Sequence, residues 1–247
     1  MKALLLCAGA GTRLGSLCVD RPKPLLDVGG QAIAAHILMR LARHGFREIY
    51  LNLHHHADAF PAHLGDGAQF GVKLHYLHEA TPLGTGGTSR NVLMQLREDL
   101  LVHYGDILTE HDLGALLRAH QGHDAFATAL VHQRVGSNSR ATLDADDRIT
   151  TFAERPPQTP SPDAAAASPS WAFSGICVLS PRCLDWLPGP TDRALDLPRD
   201  LFQPLALTGR LFAQRLSGYR CAVDSQERLA AARRAYVDGQ FMNEEVL

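Results

Sequence analysis

The chain has 247 residues, of which 45% are hydrophobic and 20% are charged, and its formal net charge is −2. This balance argues against nucleic-acid binding, which needs a strongly basic surface, and no apolar run approaches the roughly 20 residues of a membrane span. The five cysteines form no C-x-x-C pair, so neither a disulfide framework nor a zinc site is indicated. The N-terminus has neither the charged region nor the cleavage site of a signal peptide, so we expect a cytoplasmic protein.

The chain opens with an apolar run, Ala3 to Cys7, which is followed by two glycines and a cation in the segment Gly9 to Arg13. This order predicts a buried strand that leads into a phosphate-binding loop. Glycine lets backbone N–H groups approach anionic oxygens, and arginine binds such oxygens bidentately. Further along, Lys23 stands between two prolines, which predicts a stiff, extended segment. Lysine occurs only three times in this arginine-rich chain, so position 23 favours a compact point charge.

Two nucleotide-binding motifs that begin in a similar way do not fit. A dinucleotide-binding fingerprint needs a third glycine or alanine where Leu14 stands. It also needs an acidic residue at the end of the second strand, where Asn52 and three consecutive histidines stand instead. The P-loop pattern G-x-x-x-x-G-K-[ST] is absent. A nicotinamide oxidoreductase and a P-loop enzyme are therefore both disfavoured.

Strands and helices alternate through the first half of the chain. The predicted elements are a helix at Ile33–Ala42, a strand at Glu48–Leu53, a short helix at Ala57–Leu64, a strand at Val72–Leu77, a helix at Thr88–Leu96 and a strand at Leu100–Tyr104. This alternation predicts an α/β fold of Rossmann-like, three-layer α/β/α type around a mainly parallel, twisted sheet. Ligands of such sheets bind beyond the carboxyl ends of the strands. From Asp124 onward short strands predominate, which predicts a smaller β-rich portion.

Three loops carry further chemical information. Proline and glycines in Glu79 to Gly87 predict an exposed turn whose backbone groups are available to a ligand. Asp106 follows Gly105 directly after a predicted buried strand, which places a carboxylate where a hard cation such as magnesium binds. The proline-, serine- and alanine-rich stretch from Pro157 to Ser170 predicts a mobile loop.

The first segment resembles the signature of the sugar-1-phosphate nucleotidylyltransferases, a strand followed by A-G-x-G-T-R-L and then P-K-P-L. Ala8 to Leu14 and Pro22 to Leu25 match it without a gap. The resemblance is closest to short bacterial members, which include N-acetylmuramate-1-phosphate uridylyltransferases and mannose- or heptose-1-phosphate guanylyltransferases. It implies the family's GT-A-like nucleotidyltransferase fold as one domain over residues 1–247. Within that domain, residues 1–123 would bind the nucleotide and residues 124–247 the sugar phosphate.

Later motifs of the family match as well. The segment Glu79 to Gly87 resembles E-x-x-P-L-G-T-[AG]-G, and Gly105-Asp106 resembles the family's strand-G-D motif. Glu154-Arg155 stands where the family commonly has E-K, and arginine still binds phosphate there. Trp171 to Leu179 resembles the strand that closes the sugar pocket, with Gly175 allowing close approach.

The resemblance implies a role for each matching residue. The implied catalytic residues are Arg13, Lys23 and Asp106. The implied nucleotide-binding residues are Leu6, Ala8, Gly9, Gly11, Thr12, Arg13, Pro82, Gly84, Thr85 and Gly86. The implied sugar-phosphate-binding residues are Glu154, Arg155 and Gly175. Asp106 and Asp224 are the candidate ligands of a Mg²⁺ cofactor.

The second metal ligand departs from the family pattern. The family usually reads G-Y-W-x-D-[IV]-G-T, and its metal-binding aspartate falls on Ala222 in this chain. Asp224 lies two residues later, about 7 Å further along an extended segment. Either a local shift lets Asp224 substitute, or the second ligand is lost. The displacement favours loss.

The resemblance implies an enzyme that joins a nucleoside triphosphate to a sugar 1-phosphate in nucleotide-sugar biosynthesis for cell-wall or capsule polysaccharide, as a monomer or small homo-oligomer. No nucleic acid and no membrane is expected as a partner. Two alternatives stay open: a catalytically impaired nucleotide-sugar-binding regulatory subunit, motivated by Ala222, and a cytidylyltransferase for a small non-sugar phosphate or phosphonate. The nucleotide and the sugar are not determined by the sequence.

Overall fold

A computed structural model describes residues 1–135, 137, 139–154, 170–189 and 191–241. The chain forms two compact units that alternate along the sequence. The first comprises Met1–Pro82, Val102–Gly114 and Ser217–Leu247, and the second comprises Leu83–Leu101 and Ala115–Leu216. The predicted mobile loop from Pro157 to Ser170 lies, except for its last residue, outside the described residues.

The described residues contain thirteen strands and six α-helices. The strands are β1 (Lys2–Leu6), β2 (Asp27–Val28), β3 (Gln31–Ala32), β4 (Glu48–Leu53), β5 (Lys73–His78), β6 (Leu100–Tyr104), β7 (Ile107–Thr109), β8 (Ala127–Arg134), β9 (Ser139–Leu143), β10 (Ile149–Glu154), β11 (Ser170–Leu179), β12 (Leu211–Arg215) and β13 (Arg220–Ala222). The helices are α1 (Ile33–Arg43), α2 (Ala59–Leu64), α3 (Gly84–Leu96), α4 (Leu113–Gly122), α5 (Gln203–Ala206) and α6 (Gln226–Val237). Within these residues, no helix is long and apolar enough to cross a membrane.

The first unit contains a parallel sheet with the strand order β6, β1, β4, β5. β1 pairs in parallel with β4, so that Lys2 lies opposite Glu48 and Leu6 opposite Asn52, and β4 pairs in parallel with β5. Ala3, Leu4 and Leu5 are completely buried, as expected for a strand whose two faces are both covered. The predicted α/β fold with a parallel sheet is confirmed.

The second unit carries the β-rich portion that the sequence predicted. β11 pairs with β8 and β9 in antiparallel fashion, β10 pairs with β9 in the same way, and β12 pairs in parallel with β8. Gly175 lies in β11 where the register with β8 shifts, and its φ of 85° is a left-handed value that glycine adopts without strain. This bulge redirects the strand at a residue assigned to the sugar pocket.

Several local predictions need correction. The helix predicted from Thr88 begins at Gly84, because the glycines that suggested a loop form the first turn of α3. Gly29 and Gly30 do not simply precede α1 but form the turn of the β2–β3 hairpin, with φ values of 64° and 85°. Lys23 is not extended either. It begins a 3-10 turn at Lys23–Leu25. Pro24 is tolerated there because the backbone N–H groups at a helix start have no partner within the helix, so the missing N–H of proline costs no hydrogen bond.

A buried amide links the carboxyl ends of three neighbouring strands in the first unit. The side-chain oxygen of Asn52 accepts a hydrogen bond from the Cys7 backbone N–H at 2.8 Å. Its amide nitrogen donates to Glu79 Oε1 at 3.0 Å. Asn52 is only 3% exposed, so both bonds are shielded from water. Asn52 stands where a dinucleotide-binding protein has the carboxylate that binds a ribose. In this chain it holds the start of the glycine loop instead.

Replacement of Asn52 by alanine leaves the Cys7 N–H and the Glu79 carboxylate without this partner in a buried place. We expect the free energy of unfolding to fall by about 1 to 3 kcal/mol, the usual cost of an unsatisfied buried polar group. Chemical denaturation measures this loss. Asn91→Ala, at an exposed position of α3, is the control and should change stability by less than about 0.5 kcal/mol. Equal effects of the two substitutions would contradict the proposed link.

His103 gives the first unit a pH-dependent stability. Its side chain is 1% exposed in β6, and burial lowers its pKa from 6.5 to about 4. The folded state therefore binds the proton more weakly than the unfolded state, so His103 lowers stability as the pH falls from about 6.5 toward 4. From pH 7 to pH 5 this contribution is about 2 kcal/mol. We expect His103→Gln to flatten the dependence, measured as urea unfolding at both pH values. An unchanged slope would show that other groups cause it.

Candidate active site

The glycine loop follows β1 as the sequence predicted. Gly11 has a φ of 64°, and a Cβ atom there would lie 3.0 Å from Cys18 Sγ and 3.3 Å from Lys23 Cβ. The chain then turns into a 3-10 helix, Thr12–Cys18, in which Leu14 is buried while Thr12 and Arg13 are exposed. Glycine at position 11 thus permits both the left-handed turn and the close packing of Lys23 against the loop.

Lys23 points its ammonium group at Asp106. The Nζ atom lies 2.5 Å from Asp106 Oδ2, and each side chain is 17% exposed. Pro22 and Pro24 flank the lysine, and the turn closes with a hydrogen bond from the Leu25 N–H to the Pro22 carbonyl. The lysine and the carboxylate that sequence analysis assigned to catalysis are therefore in direct contact.

The position of Asp106 depends on its glycine neighbour. The Gly105 N–H donates to the Leu6 carbonyl at 2.9 Å, and a Cβ atom at position 105 would lie 2.7 Å from that oxygen. After Asp106 the chain enters β7, which pairs with β13, and the Val223 N–H donates to the Asp106 carbonyl at 2.8 Å. Asp106 is thus held between the end of β1 and the segment that carries Asp224.

Asp224 does not lie on an extended continuation of β13. Its N–H donates back to the Ala222 carbonyl at 3.0 Å, so the chain turns directly after the strand. One carboxylate oxygen accepts a bond from Arg13 Nη1 at 3.0 Å, and the other accepts one from Arg228 Nη1 at 3.0 Å. We expected loss of the second ligand because an extended strand would displace Asp224, and the chain turns there instead. Arg228 was not singled out from the sequence, although its spacing of four residues from Asp224 is a pattern typical of an ion pair.

The charged groups at this site contact groups of opposite sign. Two carboxylates, Asp106 and Asp224, face three cations, Lys23, Arg13 and Arg228. Across the described parts of the chain, no group of three or more His, Cys, Asp or Glu residues is placed to hold a metal ion. Magnesium, however, is commonly bound by one or two carboxylates together with substrate phosphates. A pair of aspartates beside a glycine loop fits that manner of binding.

Thiol chemistry is disfavoured at the site. Burial raises the pKa of the Cys7 thiol far above its ordinary value, and burial also raises the pKa of Cys18 beside Gly11. Both groups are therefore protonated near neutral pH and are poor nucleophiles. The arrangement suits binding and charge stabilisation better than a covalent enzyme intermediate.

The second unit carries the other predicted nucleotide-binding loop. Gly84, Thr85 and Gly86 form the first turn of α3, and the Ser89 and Thr88 hydroxyls donate to the carbonyls of Thr85 and Gly84. A short segment after Pro190 packs directly against this turn, where the Gly86 N–H donates to the Leu195 carbonyl at 2.8 Å. That segment was not identified as functional from the sequence.

The predicted sugar-phosphate residues are only partly described. Glu154 is half-buried at the end of β10, opposite Ser139 of β9. Gly175 forms the bulge of β11. Arg155 lies outside the described residues, so its assignment stays a prediction.

Comparison with known proteins identifies the family of the chain. Residues 2–211 match the family model described as nucleotidyl transferase. A mannose-1-phosphate guanylyltransferase of Mycobacterium tuberculosis is 34% identical over 212 residues, which cover 84% of this chain and 56% of the relative. A UTP–glucose-1-phosphate uridylyltransferase of Synechocystis is 28% identical over 228 residues, which cover 86% of this chain and 57% of the relative. The chain thus spans little more than half the length of these relatives.

Solved structures share the fold. A candidate glucose-1-phosphate thymidylyltransferase of Bacillus anthracis, crystallised with sucrose, has a TM-score of 0.83 at 19% identity and covers 100% of this chain and 98% of its own. HddC of Yersinia pseudotuberculosis has a TM-score of 0.75 at 23% identity, with 95% of this chain and 99% of that chain covered. Together with the family match over residues 2–211, the likeness establishes that this chain belongs to the nucleotidyl transferase family.

Proposed function

We propose that the protein condenses a nucleoside triphosphate with a sugar 1-phosphate, giving a nucleotide sugar and pyrophosphate. The observation that carries this proposal is the direct contact of Lys23 with Asp106 beside Gly11, because it joins three separate parts of the family signature. The names of the relatives, which are guanylyltransferases and a uridylyltransferase of sugar 1-phosphates, support the same reaction. Nucleotide-sugar supply for a surface polysaccharide, a cytoplasmic location and the oligomeric state stay predictions.

In this reaction a phosphate oxygen of the sugar 1-phosphate attacks the α-phosphorus of the triphosphate. The bond from that phosphorus to the bridging oxygen breaks, and pyrophosphate leaves. We assign Arg13 and Lys23 to the phosphates, where their charges would stabilise the negative charge that moves to the leaving group. The backbone from Leu6 to Thr12 would bind the triphosphate, and Gly84 to Gly86 the base.

Asp106 and Asp224 are the proposed holders of Mg²⁺. A bound Mg²⁺ would neutralise part of the triphosphate charge and polarise the reacting phosphoryl group. In the structure each carboxylate is paired with a cation that the proposal assigns to the triphosphate, Lys23 with Asp106 and Arg13 with Asp224. Binding of nucleotide and metal would exchange these partners, the cations for phosphate oxygens and the carboxylates for the metal ion.

The relatives' names favour a first substrate pair. Several of them are mannose-1-phosphate guanylyltransferases, from organisms as distant as Mycobacterium tuberculosis, rice and Xenopus. We therefore propose GTP with mannose 1-phosphate as the first pair to assay, within a panel of four nucleoside triphosphates and several sugar 1-phosphates. The regulatory-subunit alternative was motivated by Ala222, and the position of Asp224 beside Arg13 weakens that motive.

Lys23→Ala should reduce kcat/KM by roughly two orders of magnitude or more, because it removes a charge partner of the transition state. Pyrophosphate release measures the rate, and circular dichroism checks the fold. Lys73→Ala is the matched control, since this lysine is exposed at the start of β5. If both variants keep near-normal kcat/KM, Lys23 has no catalytic role.

Asp106→Asn and Asp224→Asn should both lower activity and raise the Mg²⁺ concentration for half-maximal rate, because each removes a carboxylate from a hard-cation site. Asp58→Asn, at an exposed position before α2, should leave both quantities unchanged. A magnesium titration of pyrophosphate release compares the three variants. A folded Asp224→Asn enzyme with the wild-type titration curve, together with a gain of activity in Ala222→Asp, would show that the second ligand is missing.

A further inference from the structure

A short segment of the second unit supports the glycine turn at the start of α3. This support segment comprises residues 193–200, in a stretch that carries no part of the family signature discussed above. Its middle runs beside residues 83–86 and its end enters a π-helical turn, Pro198–Phe202. The segment is therefore fixed at one end by a helix and along its length by the turn.

Three hydrogen bonds join the support segment to the turn. The Leu195 N–H donates to the Leu83 carbonyl at 2.9 Å, and the Gly86 N–H donates to the Leu195 carbonyl at 2.8 Å. The Leu197 N–H donates to Thr85 Oγ1 at 2.8 Å. One face of the turn is consequently occupied by protein, which fixes the orientation of the peptide groups on its remaining face.

The glycines of this turn are required by the support segment itself. A Cβ atom at Gly84 would lie 2.2 Å from the Leu195 carbonyl oxygen, and one at Gly86 would lie 3.0 Å from Leu195 Cβ. Gly84 also has a φ of 78°, which disfavours any residue with a side chain. The resemblance assigned these glycines to nucleotide contact. They are also needed because Leu195 packs so closely against them.

Asp200 anchors the support segment. Its side chain is 6% exposed and accepts hydrogen bonds from Arg193 Nη1 and Nη2 at 2.8 and 2.7 Å. It also accepts one from the Asp196 N–H at 2.7 Å and one from Arg199 Nη2 at 3.2 Å. These donors hold the pKa of the carboxyl group far below its usual range. A buried carboxylate with this many charged donors fixes the backbone on both sides of Leu195.

We propose that residues 193–200 position the loop Leu83–Gly86 for the nucleoside triphosphate, with Asp200 as the positioning residue. The inference rests on the proposed function, in which this loop contacts the nucleotide base. Asp200 itself does not touch substrate in this proposal. It sets affinity for the nucleotide through the peptide groups of Leu195 and Leu197.

The test is Asp200→Asn, which keeps the shape of the side chain and removes its charge. With GTP and mannose 1-phosphate, or with whichever pair of the panel reacts, we expect the KM for the nucleotide to rise about tenfold. The kcat and the KM for the sugar phosphate should stay within about twofold, because the change removes binding of one substrate only. Arg193→Gln should produce a smaller rise in the same KM. Arg193 is about half exposed, so this variant is expected to fold even if Asp200→Asn does not.

The matched control is Asp124→Asn. Asp124 is a second aspartate that pairs with two arginines, Arg182 and Arg210, in the same unit. It lies shortly before β8, and its two arginine partners belong neither to the turn at the start of α3 nor to the support segment. Its removal should leave every kinetic constant unchanged.

Hydrogen exchange of the free protein gives a readout that does not need turnover. Peptides covering residues 83–90 and 193–200 should exchange faster in Asp200→Asn and Arg193→Gln than in wild type or Asp124→Asn. If wild type releases no pyrophosphate with any pair, the proposed function fails, while exchange still decides whether Asp200 holds the loop. Three results would overturn the inference. They are exchange at the wild-type rate in both test variants, an unchanged KM for the nucleotide in a test variant that is active, and an equal rise of the KM values for the nucleotide and the sugar phosphate.

Discussion

The close approach of two strand ends at Gly105 determines the geometry of the proposed reaction centre. Its N–H binds the Leu6 carbonyl, and no side chain fits between them. Because this contact brings the end of β6 against the end of β1, the next residue, Asp106, lies beside the loop that begins two residues after Leu6. Any larger residue at position 105 would separate the carboxylate from Lys23. The close packing of the backbone at Gly105 thus determines where the Asp106 carboxylate meets the Lys23 ammonium group.

The electrostatic arrangement that results is nearly self-neutralising. Asp106 and Asp224 carry the negative charges that a divalent cation needs, and Lys23 and Arg13 carry the positive charges that a triphosphate needs. In the structure these groups satisfy one another. Burying a lone charge is costly, so the mostly buried Lys23 and Asp106 stabilise each other, whereas the exposed Arg13 has no such cost to offset. Arg228 differs from the other cations, because its bond to the Ala222 carbonyl ties it to the backbone of the same turn.

The sequence predicted the sheet well because apolar runs, and glycines at the ends of strands and helices, are local signals. β4 and β6 have the predicted bounds, and α1 differs by one residue. The β2–β3 hairpin was missed because its strands have only two residues each and show no alternation. The helix α4 was not predicted although it is ten residues long.

The sequence named the candidate residues of the site but not the contacts between them. Arg13 and Lys23 were singled out by the signature near the N-terminus, Asp106 by the separate strand-G-D motif, and Asp224 by a departure from the family pattern. Their pairing was not predictable, because Lys23 and Asp106 are 83 positions apart and Arg13 and Asp224 are 211 positions apart. Arg228 bonds to Asp224, and its spacing of four residues is a local signal, whereas no local pattern marks Asn52, which holds the start of the glycine loop. The turn after Ala222 was also not predicted, because the sequence was interpreted as an extended segment there.

The glycines of the two loops illustrate why a motif is more than a list of ligand contacts. At Gly11 and Gly84 the backbone has positive φ. A Cβ atom at Gly84 would collide with the Leu195 carbonyl oxygen, and one at Gly11 would make a tight contact of 3.0 Å with Cys18 Sγ. Each glycine therefore satisfies an internal packing requirement before any ligand is considered. Once one side of such a loop is fixed by the protein, its other peptide groups hold a defined direction without the cost of ordering them on binding. The glycines of this chain thereby make the loops rigid through close packing, which is the opposite of the flexibility usually associated with the residue.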